Sequence, residues 1–339
     1  MRYTQLVKGL SISRSGFGAL PIQRLAFPEA EALLRGAFDG GINFFDTARA
    51  YSDSEEKVGR ALSPIRDQVV IATKARVADT PDMFWKYLET SLSMLKTDHI
   101  DIYQFHNPKE PPLADSPIYA CMTKAREQGK IRFIGITNHR LYNAVNIIES
   151  GLYDTLQYPL SALSSDREIE MARQCGEHGM GFIAMKALCG GLLTSAAPSM
   201  AYLTPMPHVV PIWGFQRQEE LDEVLALEKN PPLLDGEMMA KIERDREELG
   251  GGFCRGCGYC APCAVGIEIH NCARMPFLLR RAPWRDWVTP EWQAKMEMIT
   301  LCVHCGQCRT RCPYELDCPA LLQYALKDYR EFLKEKELS

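Results

Sequence analysis

Four polar residues follow apolar runs closely enough to act together: Asp46 and Tyr51 after Gly41-Ile-Asn-Phe-Phe, Lys74 after Val69 to Thr73, and His106 after Ile100 to Phe105. A carboxylate where a buried strand ends can meet solvent, a cofactor or another side chain. The set suits proton transfer at a carbonyl or hydroxyl oxygen. A free tyrosine titrates near about 10, and a neighbouring ammonium favours the phenolate, so Lys74 is expected to lower the Tyr51 pKa. Asp46 would hold Lys74 charged and placed, and His106 could donate a hydrogen bond to a carbonyl oxygen.

A second chemistry lies in the cysteines. Of 13, ten fall between Cys254 and Cys318. Cys302, Cys305, Cys308 and Cys312, followed by Pro313, have the C-x2-C-x2-C-x3-C-P spacing that wraps three thiolates around one iron-sulfur cube and sends the fourth elsewhere. Cys254, Cys257, Cys260 and Cys263 form a second run, shorter by one residue before its last cysteine. Eight such ligands suffice for two [4Fe-4S] clusters. Zinc is the alternative, since it also uses C-x2-C pairs, but it does not need a third cysteine at the same short spacing, twice. Cys272 and Cys318 are left over.

The elements that must position these groups alternate. Apolar runs at Ser15 to Leu20, Ile42 to Phe45, Val69 to Thr73, Ile100 to Phe105, Phe133 to Ile136, Thr155 to Tyr158, Phe182 to Met185 and Val209 to Ile212 read as strands buried on both faces. Helical patterns separate them, with Pro28, Pro81 and Pro117 near helix starts and Gly129, Gly151 and Gly179 near helix ends. Repeated βα units predict a (β/α)8 TIM barrel with reacting groups at the C-terminal strand ends. Adjacent strands lie about 5 Å apart, so Asp46, Lys74 and His106 can share one pocket. The segment Thr194 to Pro207 is poor in helical pattern, and the barrel is expected to be trimmed there.

Length and composition fit this plan. A chain of 339 residues, 46% hydrophobic, allows a barrel of residues 1–232, a linker helix and glycine hinge over 233–252, and a small iron-sulfur domain over 253–339. Helix-compatible stretches at Met275 to Arg281 and Pro290 to Met298, with a terminal helix from Pro319, make that domain an α-helical, ferredoxin-like one. A net charge of −4 without long single-sign blocks gives no reason to expect nucleic acid or an anionic membrane as partner. The amino terminus lacks a signal-peptide core and no window reaches the length of a membrane span, so a cytoplasmic location is expected.

The residues around the four polar groups resemble the aldo-keto reductase family. Gly41 to Ala48 with Ser54-Glu55 and Gly59 to Leu62 is similar to its first signature, Leu95 to His106 with Asp98, Asp101 and Tyr103 to its second, and Gly129 to Asn138 is a third match. The resemblance implies a catalytic tetrad of Asp46, Tyr51, Lys74 and His106. It also implies NADP, or NAD, across the barrel mouth. Thr137, Asn138 and Gln157 would hold the carboxamide, Lys186 to Leu193, including Gly191 and Leu192, would embrace the pyrophosphate, and Gly214 and Arg217 would lie at the adenosine end, with Arg217 paired to a 2'-phosphate.

By analogy with two-cluster ferredoxins, Cys254, Cys257, Cys260 and Cys312 would hold one cluster and Cys302, Cys305, Cys308 and Cys263 the other. The whole chain is similar to the subgroup of aldo-keto reductases with such an extension. The expected function is NAD(P)-dependent interconversion of a small carbonyl compound and its alcohol, with clusters that relay electrons, to a redox protein partner for instance, or serve structure. The alternative is an iron-sulfur electron-transfer protein whose barrel docks a redox partner and binds nicotinamide weakly or not at all. Trp213, Phe215, Tyr119 and Trp85 are candidates for apolar walls of a substrate pocket.

Overall fold

The structure, a computed structural model, describes residues 1–249, 252–281 and 283–338. Two compact units emerge: Met1–Ala187 with Ala196–Met238, and Leu188–Ser195 with Met239–Ser339. Gly250 and Gly251 of the expected hinge lie outside the described residues.

The first unit is a closed eight-stranded parallel barrel. Its strands are β3 (Gly16–Gly18), β4 (Phe44–Asp46), β5 (Val70–Ala75), β6 (Ile100–His106), β7 (Ile131–Thr137), β8 (Thr155–Pro159), β9 (Gly181–Met185) and β10 (Val209–Gly214). Each lies within the expected run or differs from it by a few residues at the ends. Burial on both faces explains their Val, Ile, Phe and Ala content, because the interior is filled by side chains and helices cover the outside. The segment expected to be trimmed still forms a helix of eight residues, Ala196–Leu203, buried through Met200, Ala201 and Leu203.

A hairpin absent from the sequence reading precedes the barrel: β1 (Tyr3–Val7) pairs antiparallel with β2 (Leu10–Ser13). Its Leu6, Val7, Leu10 and Ile12 pack with Phe44, Val70, Ile102, Ile183 and Val210 from the early parts of barrel strands. The hairpin therefore closes the N-terminal mouth, leaving the C-terminal mouth for the polar groups.

Nine α-helices precede the cysteine-rich segment among the described residues, from α1 (Phe27–Asp39) to α9 (Gly236–Leu249); that segment, in the second unit, forms helices and turns without strands, α10 (Ile269–Cys272), α11 (Met275–Arg281), α12 (Pro290–Glu297), α13 (Gln307–Arg311) and α14 (Cys318–Glu335). The long α14 buries Leu322, Ala325, Leu326, Tyr329 and Phe332 on one face at helical spacing. Segment 188–195 joins this unit through Arg274 and Arg281, which donate to the carbonyls of Gly190 at 2.7 Å and Leu192 at 3.0 Å.

Gly59 marks a contact the barrel cannot relax. It sits in the helix Ser54–Leu62, and a Cβ there would fall 2.2 Å from the Met94 carbonyl oxygen of the next helix. Exposed helical Gly→Ala changes are favourable by about 1 kcal/mol, but forcing two backbones apart costs about 1–3 kcal/mol or more. Gly59→Ala is expected to lower the thermal midpoint by several degrees, read by circular dichroism; an unchanged or raised midpoint would show that the helices separate freely.

Candidate active site

The barrel register brings the sequence-predicted tetrad together. Asp46 pairs with Ala72 at the end of β4, Lys74 pairs with Gln104, and His106 pairs with Thr137, which in turn pairs with Gln157. Past β4 the chain keeps its partner, since the Thr47 and Arg49 amides donate to the Ala72 and Lys74 carbonyls. It then turns, with the Tyr51 amide donating to the Ala48 carbonyl, and Tyr51 arrives beside Lys74 and His106. Lys74 Nζ lies 5.0 Å from the Tyr51 ring centroid, and the Tyr51 and His106 rings meet edge to face at 5.9 Å.

Asp46 is the hub. Its Oδ2 accepts from Lys74 Nζ at 2.5 Å and from Gln157 Nε2 at 3.2 Å, while Oδ1 accepts from Gln104 Nε2 at 3.1 Å. Lys74 also donates to the Thr47 carbonyl at 2.8 Å. Both side chains are buried, at 1% and 3% exposure. Such a pair repays its desolvation only when the remaining lone pairs and protons find partners, and these bonds occupy two of the three ammonium protons and both carboxylate oxygens. Burial lowers the Lys74 pKa, opposed by the Asp46 carboxylate and more weakly by Glu55. Glu55 is itself held by Arg49 at 2.7 Å and by the Thr73 hydroxyl at 2.7 Å.

Two titrations differ from the simplest expectation. Tyr51 is raised, not lowered, because burial and then the Asp46 charge both disfavour the phenolate. His106 is pushed down to about 3, by burial first and by the Lys74 charge second. The site therefore presents a protonated phenol and a neutral imidazole, the states of a proton donor and a hydrogen-bond donor.

The other expected nucleotide residues divide. Thr137 is buried and its hydroxyl accepts from the Asn107 amide at 2.9 Å. The Asn138 side chain donates to the Pro108 carbonyl at 3.0 Å and accepts from the Arg140 amide at 2.9 Å, so it shapes the loop after β7. Gln157 Oε1 is buried with no hydrogen-bond partner among the described residues. That orphan acceptor, on the strand level of His106, fits a carboxamide N–H. Lys186 sits in the left-handed region at φ 60 in the first unit, whereas Gly191, exposed at φ 90, and buried Leu192 belong to the second. Gly214 ends β10, and Arg217 is exposed and paired with Glu220 at 2.7 Å.

The aromatic wall candidates are mainly core. Trp213 is 1% exposed with its indole donating to Ser15, Phe215 packs on Phe17 at 5.1 Å, Tyr119 is tied to the Leu152 carbonyl, and Trp85 packs edge-on to Phe84 at 5.4 Å. Gln104 was missed by sequence reasoning. The signal existed: it stands two residues before His106, hence on the same face of β6.

The cysteines of the two runs ring two cavities. An outer one is lined by Cys263, Cys302, Cys305 and Cys308, and an inner one by Cys254, Cys257 and Cys312, with Cys260 and Ile269 on both. Cys305 is exposed, whereas Cys260 is buried. Left-handed Gly256 and Gly258 turn the first run, and Gly306 the second. The Gly256 amide already donates to Cys254 Sγ at 3.5 Å. Cysteines spread around a cavity fit a multi-iron cluster better than one zinc ion.

Comparison with known proteins agrees with both halves. The model of the aldo/keto reductase family matches residues 15–207, and that of the 4Fe-4S dicluster domain matches residues 253–317. The chain is 30% identical over 213 residues to aldo-keto reductase YhdN of Bacillus subtilis (strain 168), covering 57% of this chain and 64% of that protein. It is 31% identical over 218 residues to the NADH-specific methylglyoxal reductase of Escherichia coli (strain K12), covering 57% and 66%. The chain thus spans just under two thirds of the length of these curated relatives. In fold it resembles an aldo-keto reductase from Klebsiella pneumoniae in complex with NADPH, with a TM-score of 0.62 and 23% identity over 72% of this chain and 94% of the other. The first of the two family matches spans more than half of the 339 residues, and the chain belongs to the aldo/keto reductase family.

Proposed function

We propose that the protein is an NAD(P)-dependent oxidoreductase that interconverts a small carbonyl compound and its alcohol, and that carries two [4Fe-4S] clusters. The observation that carries the reading is the buried Asp46–Lys74 pair at 2.5 Å beside Tyr51 and His106. Residues 1–232 would be the reductase barrel, 233–252 the linker and 253–339 the cluster domain.

When bound, the nicotinamide supplies the hydride that the carbonyl carbon receives. The protein's residues manage the oxygen. Neutral His106 orients the carbonyl by a hydrogen bond, and Tyr51 delivers the proton that turns the developing alkoxide into a hydroxyl. Lys74 then stabilises the tyrosinate until water reprotonates it, and Asp46 keeps Lys74 charged despite its burial. The orphan Gln157 Oε1 would accept from the carboxamide, with Thr137 and Asn138 bounding that end. Lys186, Gly191, Leu192, Gly214 and Arg217 are the proposed contacts of the remainder of the nucleotide.

Cys254, Cys257, Cys260 and Cys312 would hold the inner cluster, and Cys263, Cys302, Cys305 and Cys308 the outer. The clusters would supply one-electron transfer; the exposure of Cys305 supports the outer one as the end nearer solvent, where a redox protein partner would dock. A second reading, an electron-transfer protein with little nicotinamide affinity, draws on Arg217, whose guanidinium is already paired with Glu220.

Three outcomes are expected. Tyr51→Phe should lose about 10²–10⁴-fold in NAD(P)H-dependent carbonyl reduction while fluorescence titration shows nucleotide binding retained; near wild-type turnover would remove Tyr51 from the chemistry, and absence of nucleotide binding in the wild type would favour the second reading. Burial and the Lys74 charge push His106 down to about 3, against about 6.5 for an ordinary imidazole, so His106 stays neutral as pH falls from 8 to 5. The pH profile of kcat/KM for reduction should lack a break near about 6.5 that His106→Gln abolishes. Anaerobically purified protein should contain about eight iron and eight sulfide per chain, and zinc with no sulfide would overturn the cluster assignment.

A further inference from the structure

Cys318 stands outside both cysteine runs, yet it lines the inner cavity with Cys254, Cys257, Cys260 and Cys312. It is 5% exposed and is the first residue of α14, whose start is fixed by the Asp317 carboxylate accepting from the Ala320 amide at 3.2 Å. Its Sγ lies 3.7 Å from the Cys308 carbonyl oxygen, and its interacting neighbours are Cys312, Cys308 and Cys260. Cys308 lines the outer cavity, Cys312 the inner, and Cys260 both. The thiol thus adjoins groups from both cluster sites.

Cys272 shows that burial alone does not produce this. It is 0% exposed, its Sγ approaches the Lys295 carbonyl at 3.8 Å, and it lines neither cavity. Its role is packing.

A thiol is a weak donor, and in the structure Cys318 points its S–H toward a neutral carbonyl. Once Cys312 ligates iron, its sulfur carries negative charge and becomes the stronger acceptor, because hydrogen bonds to ionised groups are roughly twice as strong as neutral ones. Hydrogen bonds to cluster sulfurs favour the reduced, more negative state and so raise the reduction potential, the more so in a buried site. Each cavity already has four cysteines from the two runs, so Cys318 is not needed as a ligand.

We propose that Cys318 is a positioning residue of the inner cluster, donating its S–H to the Cys312 sulfur and thereby raising that cluster's reduction potential relative to the outer one. The inference rests on the two-cluster reading above.

The test uses the full chain, purified anaerobically, with iron and sulfide analysis and a redox titration followed by electron paramagnetic resonance. Cys318→Ala should keep eight iron per chain and lower one of the two midpoint potentials, leaving the other in place. Cys318→Ser, which restores a donor, should bring that potential back toward the wild-type value. Cys318→Val, which keeps the buried volume filled without a donor, should reproduce the fall, and it serves where the alanine variant does not accumulate. Both potentials unchanged in the donor-free variants would overturn the inference. So would loss of about four iron from them, which would make Cys318 a ligand. A wild-type chain that lacks eight iron would instead remove the two-cluster reading, and this inference with it.

Discussion

The Asp46–Lys74 ion pair is an expensive arrangement that the barrel sustains by hydrogen bonds from several elements. Two opposite charges, each almost fully removed from water, must be compensated by contact and by hydrogen bonds to every remaining lone pair. The compensation comes from two other strands and one loop: Gln104 on β6, Gln157 on β8 and the carbonyl of Thr47 just past β4. The closed barrel brings groups separated by 111 residues onto one carboxylate. The hairpin plug at the opposite mouth serves the same end, because it fills the interior with Leu6, Leu10 and Ile12 and leaves the polar groups a single exit. The same burial sets the protonation states. It keeps Tyr51 protonated and His106 neutral.

Most of the barrel was legible because its strands are buried on both faces and written as short Val, Ile and Phe runs between helices with clear starts and ends. Asp46, Lys74 and His106 were legible because each ends such a run. Gln104 was not, since a glutamine inside a strand looks like an ordinary polar residue until its period-two relation to His106 is noticed. The hairpin escaped because its strands are only five and four residues long and half polar. The direction of the Tyr51 shift was misjudged for a physical reason: proximity of an ammonium can be inferred from sequence, but the depth of burial that outweighs it cannot. Trp213 and Phe215 were open to the same error, since aromatic residues near a strand end serve core and pocket alike.

The cysteine segment was legible for another reason. Thiolate ligands of a cluster must sit at short fixed spacings, so the motif survives without any knowledge of the fold. The sequence could not show that Cys260 lines both cavities or that Cys318 reaches the inner one, because both depend on how α14 folds back on the two runs. Nor could it show that Gly191 and Leu192, on the loop after β9, group with the cluster unit through the guanidinium groups of Arg274 and Arg281. In the proposed function, hydride chemistry and one-electron chemistry would rest on different physical devices, a buried ion pair in one unit and cysteine-ringed cavities in the other.

In the proposed function the buried carboxylate of Asp46 organises the chemistry by holding Lys74 charged, separately from any part in binding nucleotide. Asp46→Asn keeps the shape and removes the charge, so steady-state reduction measured alongside nucleotide titration of the same variant tests it most directly. The account predicts a fall in kcat of about 10²–10³-fold with nucleotide affinity nearly unchanged, as expected for loss of a preorganised electrostatic partner. Turnover close to wild type would contradict it.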